Sequence, residues 1–129
     1  GIDVSGSEIS VKETHFINIS DKALSVGENS RMKASGINIE KVSIGAASKD
    51  GSQLFLSDSK MVGIKKAGLM AYIKKNEYGP AEITAERLEY NSKAKKAISQ
   101  KGNKIIIDGE EVQAGDLNVQ ELYVPKGKS

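Results

Sequence analysis

The chain has 129 residues with 19 Lys+Arg against 17 Asp+Glu, one His, no Cys and no Trp. Near-balanced charge and only two Arg, Arg31 and Arg87, argue against a nucleic-acid binder, which needs basic side chains gathered on one face. The lack of Cys excludes disulfides and thiolate metal sites, and no apolar run approaches the roughly 18 residues that would insert in a membrane.

The chain opens on "GIDVSGSEISVKETHFINIS", without an initiator Met, and no signal-peptide pattern is expected within this stretch. After the turn pair Gly6-Ser7, Ile9 and Val11 alternate with Glu8 and Ser10, which predicts a strand with one buried face. Phe16 and Ile19 follow as further core positions, with His15 pointing outward and no evident partner. This start reads as the end of a coil. The expectation is that further coils or another domain of a longer parent protein precede it, and that an uncovered end could pair end to end with a second copy.

The same order returns along the chain. Asn29-Ser30 precedes Met32 and Ala34, Asp50-Gly51-Ser52 precedes Leu54 and Leu56, Pro80-Ala81 precedes Ile83 and Ala85, and Gly102-Asn103 precedes Ile105 and Ile107. Anchored on Ser7, Ser30, Ser52, Ala81 and Asn103, the spacings are 23, 22, 29 and 22. A second apolar column holds Phe16, Ile39, Met61 and Tyr90, and a third holds Ile19, Val42 and Ile64 but fails at Lys93. A fourth is expected at Ile2, Leu24, Ala47, Leu69 and Ile98, each preceded by a small residue.

Fixed-period self-similarity of this kind signals an array in which stacked repeats share one core. The reading is all-β: a parallel β-helix over residues 1–107, a solenoid of about 22-residue coils with three short strands each. An ordinary antiparallel β-sandwich, with turns every 8 to 12 residues, is the competing reading.

Two segments depart from the repeat. The spacing of 29 implies a loop insertion, "KKNEYGP" at 74–80. Lys74, Lys75 and Glu77 would surround Tyr78, an amphipathic contact anchor. From Asp108-Gly109, a hairpin signal, residues 108–124 read as a C-terminal cap, with Val112, Leu117, Val119, Leu122 and Tyr123 covering the last coil. Residues 125–129 read as a flexible tail.

The wording of "GIDVSGSEISVKETHFINIS", "DKALSVGENSRMKASGINIEKVS" and "IGAASKDGSQLFLSDSKMVGIKK" resembles the right-handed parallel β-helix repeats of the pectin-lyase-like superfamily. More narrowly, it is similar to the C-terminal coils of large bacterial surface or secreted proteins. The resemblance implies a right-handed coil and an extracytoplasmic location. It leaves function open, because the superfamily contains polysaccharide lyases and hydrolases, phage tailspikes and coils without activity.

Catalytic chemistry finds little support in the residues. The outward column Glu8, Arg31, Gln53, Glu82 and Lys104 alternates in charge, which neutralises acids instead of concentrating them. Asp50, Asp58 and Glu86, with Arg87 nearby, are the remaining acids to weigh for calcium or glycosidase work, and turn chemistry explains Asp residues at corners equally well. No cofactor and no metal is expected. Phe55, outward near Lys33 and Thr84 with Ile106 in the same column, is the best single contact residue. The expected function is a non-catalytic structural or interaction module. Its partners would be the parent's preceding coils and either a polysaccharide or another surface protein. The alternatives are a fragment of a polysaccharide-active or carbohydrate-binding β-helix protein and a phage-type fibre segment.

Overall fold

The computed structural model describes residues 1–115, so the predicted cap residues Leu117, Val119, Leu122 and Tyr123 and the tail 125–129 lie outside the described residues. The described chain is all-β. The first repeat forms β1 (Ile2–Ser5), β2 (Glu8–Lys12) and β3 (His15–Ile17), and the second forms β4 (Lys22–Gly27), β5 (Arg31–Ser35) and β6 (Asn38–Glu40). In the third and fourth repeats the last two strands run together, giving β7 (Ile44–Lys49) with β8 (Gln53–Val62), and β9 (Ala67–Tyr72) with β10 (Glu82–Asn91). The fifth gives β11 (Lys95–Gln100) and β12 (Lys104–Ile107), followed by the short strands β13 (Glu110–Glu111) and β14 (Ala114–Gly115).

Each strand pairs in parallel with its equivalent one repeat later. Sheet A has the order β1-β4-β7-β9-β11-β14, and sheet B has β13-β12-β10-β8-β5-β2, with β3 and β6 joined to the second half of β8. Parallel neighbours need a long crossover between them, and here the crossover is the rest of the repeat. The exception is β13, which returns antiparallel on β12 around Asp108 and Gly109, both with positive φ, as a two-residue hairpin requires.

The register reproduces the first two apolar columns, and in the third Val42 and Ile64 are buried in the core with Ile19 packed against it. Ile9, Met32, Leu54, Ile83 and Ile105 stack through five strands, as do Phe16, Ile39, Met61 and Tyr90 through the next face. Where the third column fails at Lys93, Ala94 packs against the core instead. The fourth column needs a correction: Leu24 stacks on Ala46, then Leu69, then Ala97, not on Ala47 and Ile98. Ala47, Met70 and Ile98 stack on the opposite face of sheet A, in a second apolar cluster with Ile44, Ala67 and Tyr72. Strands buried on both faces read as continuous apolar runs, so the sequence gives no phase there.

Turn chemistry sets the corners. One stack of left-handed residues contains Gly6, Glu28-Asn29, Asp50-Gly51 and Gly102; a second contains Glu13, Gly36, Asp58, Arg87 and Asp108; a third contains Asn18, Lys41 and Gly63. Positive φ turns the chain sharply without interrupting the stack on either side. The anchors are small for a further reason. Ser30 Oγ accepts the Ser7 N–H and Ser52 Oγ accepts the Ser30 N–H, both at 3.1 Å, and Asn103 Oδ1 accepts the Ala81 N–H at 2.7 Å. These buried side chains satisfy backbone donors that the corner removes from the strand ladder.

Candidate functional site

Two of the columns that sheet B turns to solvent frame a groove. Glu8, Arg31, Gln53, Glu82 and Lys104 form one; Ser10, Lys33, Phe55, Thr84 and Ile106 form the other. Between them runs an open groove of about 300 Å³, with Phe55 in its wall and 36% exposed. A second hollow beside it is lined by Phe55 with Lys12, Lys33, Ser35 and Ser57. The ring therefore stands between two depressions, with Arg31 and Lys33 on the neighbouring strand. The charges of the outer column alternate in register. The ion pairs among the described residues lie elsewhere, at His15–Glu40, Lys22–Asp21, Lys75–Glu28 and Arg87 with Asp58 and Glu86.

The outer column does not bring its two carboxylates together. Glu8 and Glu82 are separated by three strand steps, β2 to β5 to β8 to β10, which at about 4.8 Å each is roughly 14 Å. Paired carboxylates of glycoside hydrolases stand at most about 9.5 Å apart.

Two other acids, Asp58 and Glu86, flank a single guanidinium. Asp58 receives Arg87 Nε at 2.5 Å and Nη2 at 3.1 Å, and Glu86 lies 3.5 Å from the same guanidinium. The Arg87 hydrogen bonds hold the Asp58 carboxyl below its ordinary range and raise Arg87. Asp50 occupies a different corner and does not join them. Among the described residues no group of three or more His, Cys, Asp or Glu is placed to hold a metal ion. His15 does have a partner, contrary to the sequence reading: its Nε2 is 3.7 Å from Glu40 Oε1, across the parallel pair β3–β6.

The insertion is tied down from beneath. Asp50, buried at the corner after β7, accepts the backbone N–H groups of Lys74 and Lys75 on Oδ1, both at 2.7 Å. Its Oδ2 is buried with no partner among the described residues. Lys75 Nζ pairs with Glu28, which also accepts the Ser5 hydroxyl at 2.8 Å. The Lys75 hydrogen bond lowers the Glu28 carboxyl, and the same bond raises Lys75. Tyr78 N–H closes a turn on the Lys75 carbonyl at 3.1 Å. Lys74, Lys75 and Glu77 are exposed and Tyr78 is half-buried.

The five predicted contact residues thus fall in two places. Lys74, Lys75, Glu77 and Tyr78 share the loop, whereas Phe55 belongs to the sheet B groove, which no loop residue lines. Sequence reading missed Asp50 and Glu28 as the loop's tethers. The only signal was an Asp at a turn, which is common for local reasons. Compared with known proteins, the chain matches no family model, no curated protein and no solved structure.

Proposed function

We propose that the chain is a right-handed parallel β-helix acting as a non-catalytic interaction module of an extracytoplasmic bacterial protein, surface-borne or secreted, with the outward face of sheet B as its contact surface. The handedness rests on the sequence resemblance and on a general rule. A strand–crossover–strand connection between parallel neighbours is right-handed in about 98% of cases, and every repeat here is such a connection.

One observation carries the functional reading. Phe55 is 36% exposed between two hollows, in a column otherwise made of Ser10, Lys33, Thr84 and the partly buried Ile106. Ligand sites combine apolar surface with a few placed polar groups, and an aromatic plane flanked by Arg31, Gln53 and Thr84 suits an extended carbohydrate chain. Turnover is not part of the reading, because Glu8 and Glu82 stand too far apart to cooperate and Arg87 engages both Asp58 and Glu86.

Affinity electrophoresis through neutral and acidic polysaccharides tests it, alongside a reducing-sugar assay on the same panel. The expected result is retardation by at least one polysaccharide, weakened by Phe55→Ala and by Arg31→Ala, with no release of reducing ends. Retardation by none, or retardation indifferent to Phe55→Ala, sinks the carbohydrate reading. Turnover abolished by Glu82→Gln would favour a polysaccharide-active enzyme instead.

A further inference from the structure

The sheet B groove is electrically lopsided about Phe55. On β8, Gln53 and Phe55 face it without charge. One strand away on β5, Arg31 stands beside Gln53 and Lys33 beside Phe55. One strand away on the other side, on β10, Glu82 stands beside Gln53 and Thr84 beside Phe55. All of these side chains line the same groove, so cations on β5 face a carboxylate on β10 across an uncharged aromatic strand.

The distance keeps these charges available. From β5 to β10 is two strand steps, roughly 10 Å, too far for direct pairing. Neither Arg31, Lys33 nor Glu82 enters an ion pair of the described residues. Arg31 and Lys33 are exposed, and Glu82 is half-buried. The neighbouring acid of β10, Glu86, is already engaged by Arg87. On the β2 side, Glu8 stands beside Arg31, but Lys33 has only Ser10 beside it.

Given the reading of this groove as a glycan site, on which the inference rests, we infer that its ligand is dipolar. One sugar carries a carboxylate, placed over Arg31 and Lys33. Another carries a free, protonated amino group, placed against Glu82, with an apolar sugar face on the Phe55 ring between them. The fork of Arg31 suits a carboxylate, and Glu82 accepts from an ammonium. The other glycan classes each leave a fault. A purely acidic chain sets a carboxylate against Glu82, and a purely basic chain sets amines against Arg31 and Lys33. Like charges brought together in this way discriminate against the wrong ligand. A neutral chain covers all these charges and pairs none of them, which costs desolvation without return.

Isothermal titration of the full chain tests this with carboxymethyl chitosan, whose backbone carries both carboxylates and free amines. Its N-acetylated derivative keeps the carboxylates and blocks the amines, and polygalacturonate and dextran supply acid-only and neutral chains. The wild type is expected to bind carboxymethyl chitosan tightest, by about three-fold or more over the N-acetylated derivative, the scale of one exposed ion pair. Raising the salt should shrink that advantage. Glu82→Gln should erase it, bringing the two derivatives to the same affinity, whereas Arg31→Gln should weaken both and leave their ratio. Circular dichroism checks that each variant keeps the fold. If the wild type binds the N-acetylated, acid-only or neutral chain as tightly, or if Glu82→Gln keeps the advantage, the dipolar inference falls while the glycan reading stands. Binding to none of these chains overturns both.

Discussion

Asp50 and Lys75 are joined by a hydrogen bond of 2.7 Å from the Lys75 amide to Asp50 Oδ1, and the neighbouring Lys74 amide shares that oxygen. One buried carboxylate thus fixes the entry of the insertion. The Glu28–Lys75 ion pair holds the same loop from the repeat before.

Asp50→Gly separates the tether from the turn. Gly adopts the positive φ of 53° at this position without strain but offers no acceptor. The expected loss is about 2 kcal/mol, within the range for hydrogen bonds to a charged group. Trypsin should also cut after Lys74 or Lys75 much faster than in the wild type. Unchanged cleavage would show that the loop is held by something other than Asp50.

Two glycines distinguish backbone strain from crowding. At Gly63, with φ 67°, an added Cβ would have Lys41 at 3.6 Å as its nearest neighbour, so there is room. Gly63→Ala should cost about 1 kcal/mol, the penalty of a left-handed conformation for an L residue. At Gly68 the same Cβ would lie 2.6 Å from the Lys96 carbonyl oxygen and 2.6 Å from the Tyr90 ring. Gly68→Ala forces sheet A away from its neighbour, and overpacking of this sort costs about 1–3 kcal/mol. Urea melts of the two variants rank them; a larger loss at Gly63 would contradict this packing.

How much of this was legible in the sequence differs between the two sheets. On sheet B, Met32, Leu54 and Ile83 alternate with Arg31, Gln53 and Glu82, so one face is visibly wet and the phase is unambiguous. On sheet A, "IGAAS" and "AGLMAY" are buried on both faces, and the predicted column slipped by one residue at Ala47 and Ile98. Phe55 stood out because it interrupts a mainly polar column. Asp50 did not, because its contacts join positions 24 and 25 apart through the path of a loop. The anchor serines were visible as small residues, but their hydroxyls' work on the neighbouring repeat appears only in three dimensions.

The Asp58–Arg87 pair should make part of the stability depend on acid pH. Arg87 lowers the Asp58 carboxyl below its ordinary range. A depressed carboxylate contributes stability that is present above its unfolded value, about 3.9, and lost as pH falls through the folded value. Asp58→Asn tolerates the positive φ of 49° but removes the charge. The variant should therefore melt below the wild type at neutral pH and converge with it well below pH 4. A gap in melting temperature that persists at the acid end would point to packing at this corner instead of charge.

Calcium should leave the melting temperature unchanged. A cation that binds only the folded state raises stability by mass action, and calcium takes six to eight oxygen ligands. The corner acids do not supply them. Asp58 has both oxygens on the Arg87 guanidinium, and Glu86 shares that cation. Asp50 sits in another corner with Oδ1 occupied by two amides, and Glu28 is engaged by Lys75 and Ser5. Drawing Asp58 or Glu28 onto calcium would first require breaking an existing charge-assisted bond, and the one unengaged oxygen of Asp50, Oδ2, is far short of six ligands. Differential scanning fluorimetry with millimolar calcium and with a chelator gives the comparison. A calcium-dependent rise of several degrees, abolished by Asp50→Gly, would place an ion at the buried Oδ2 and revise the role of that corner from loop tether to metal site.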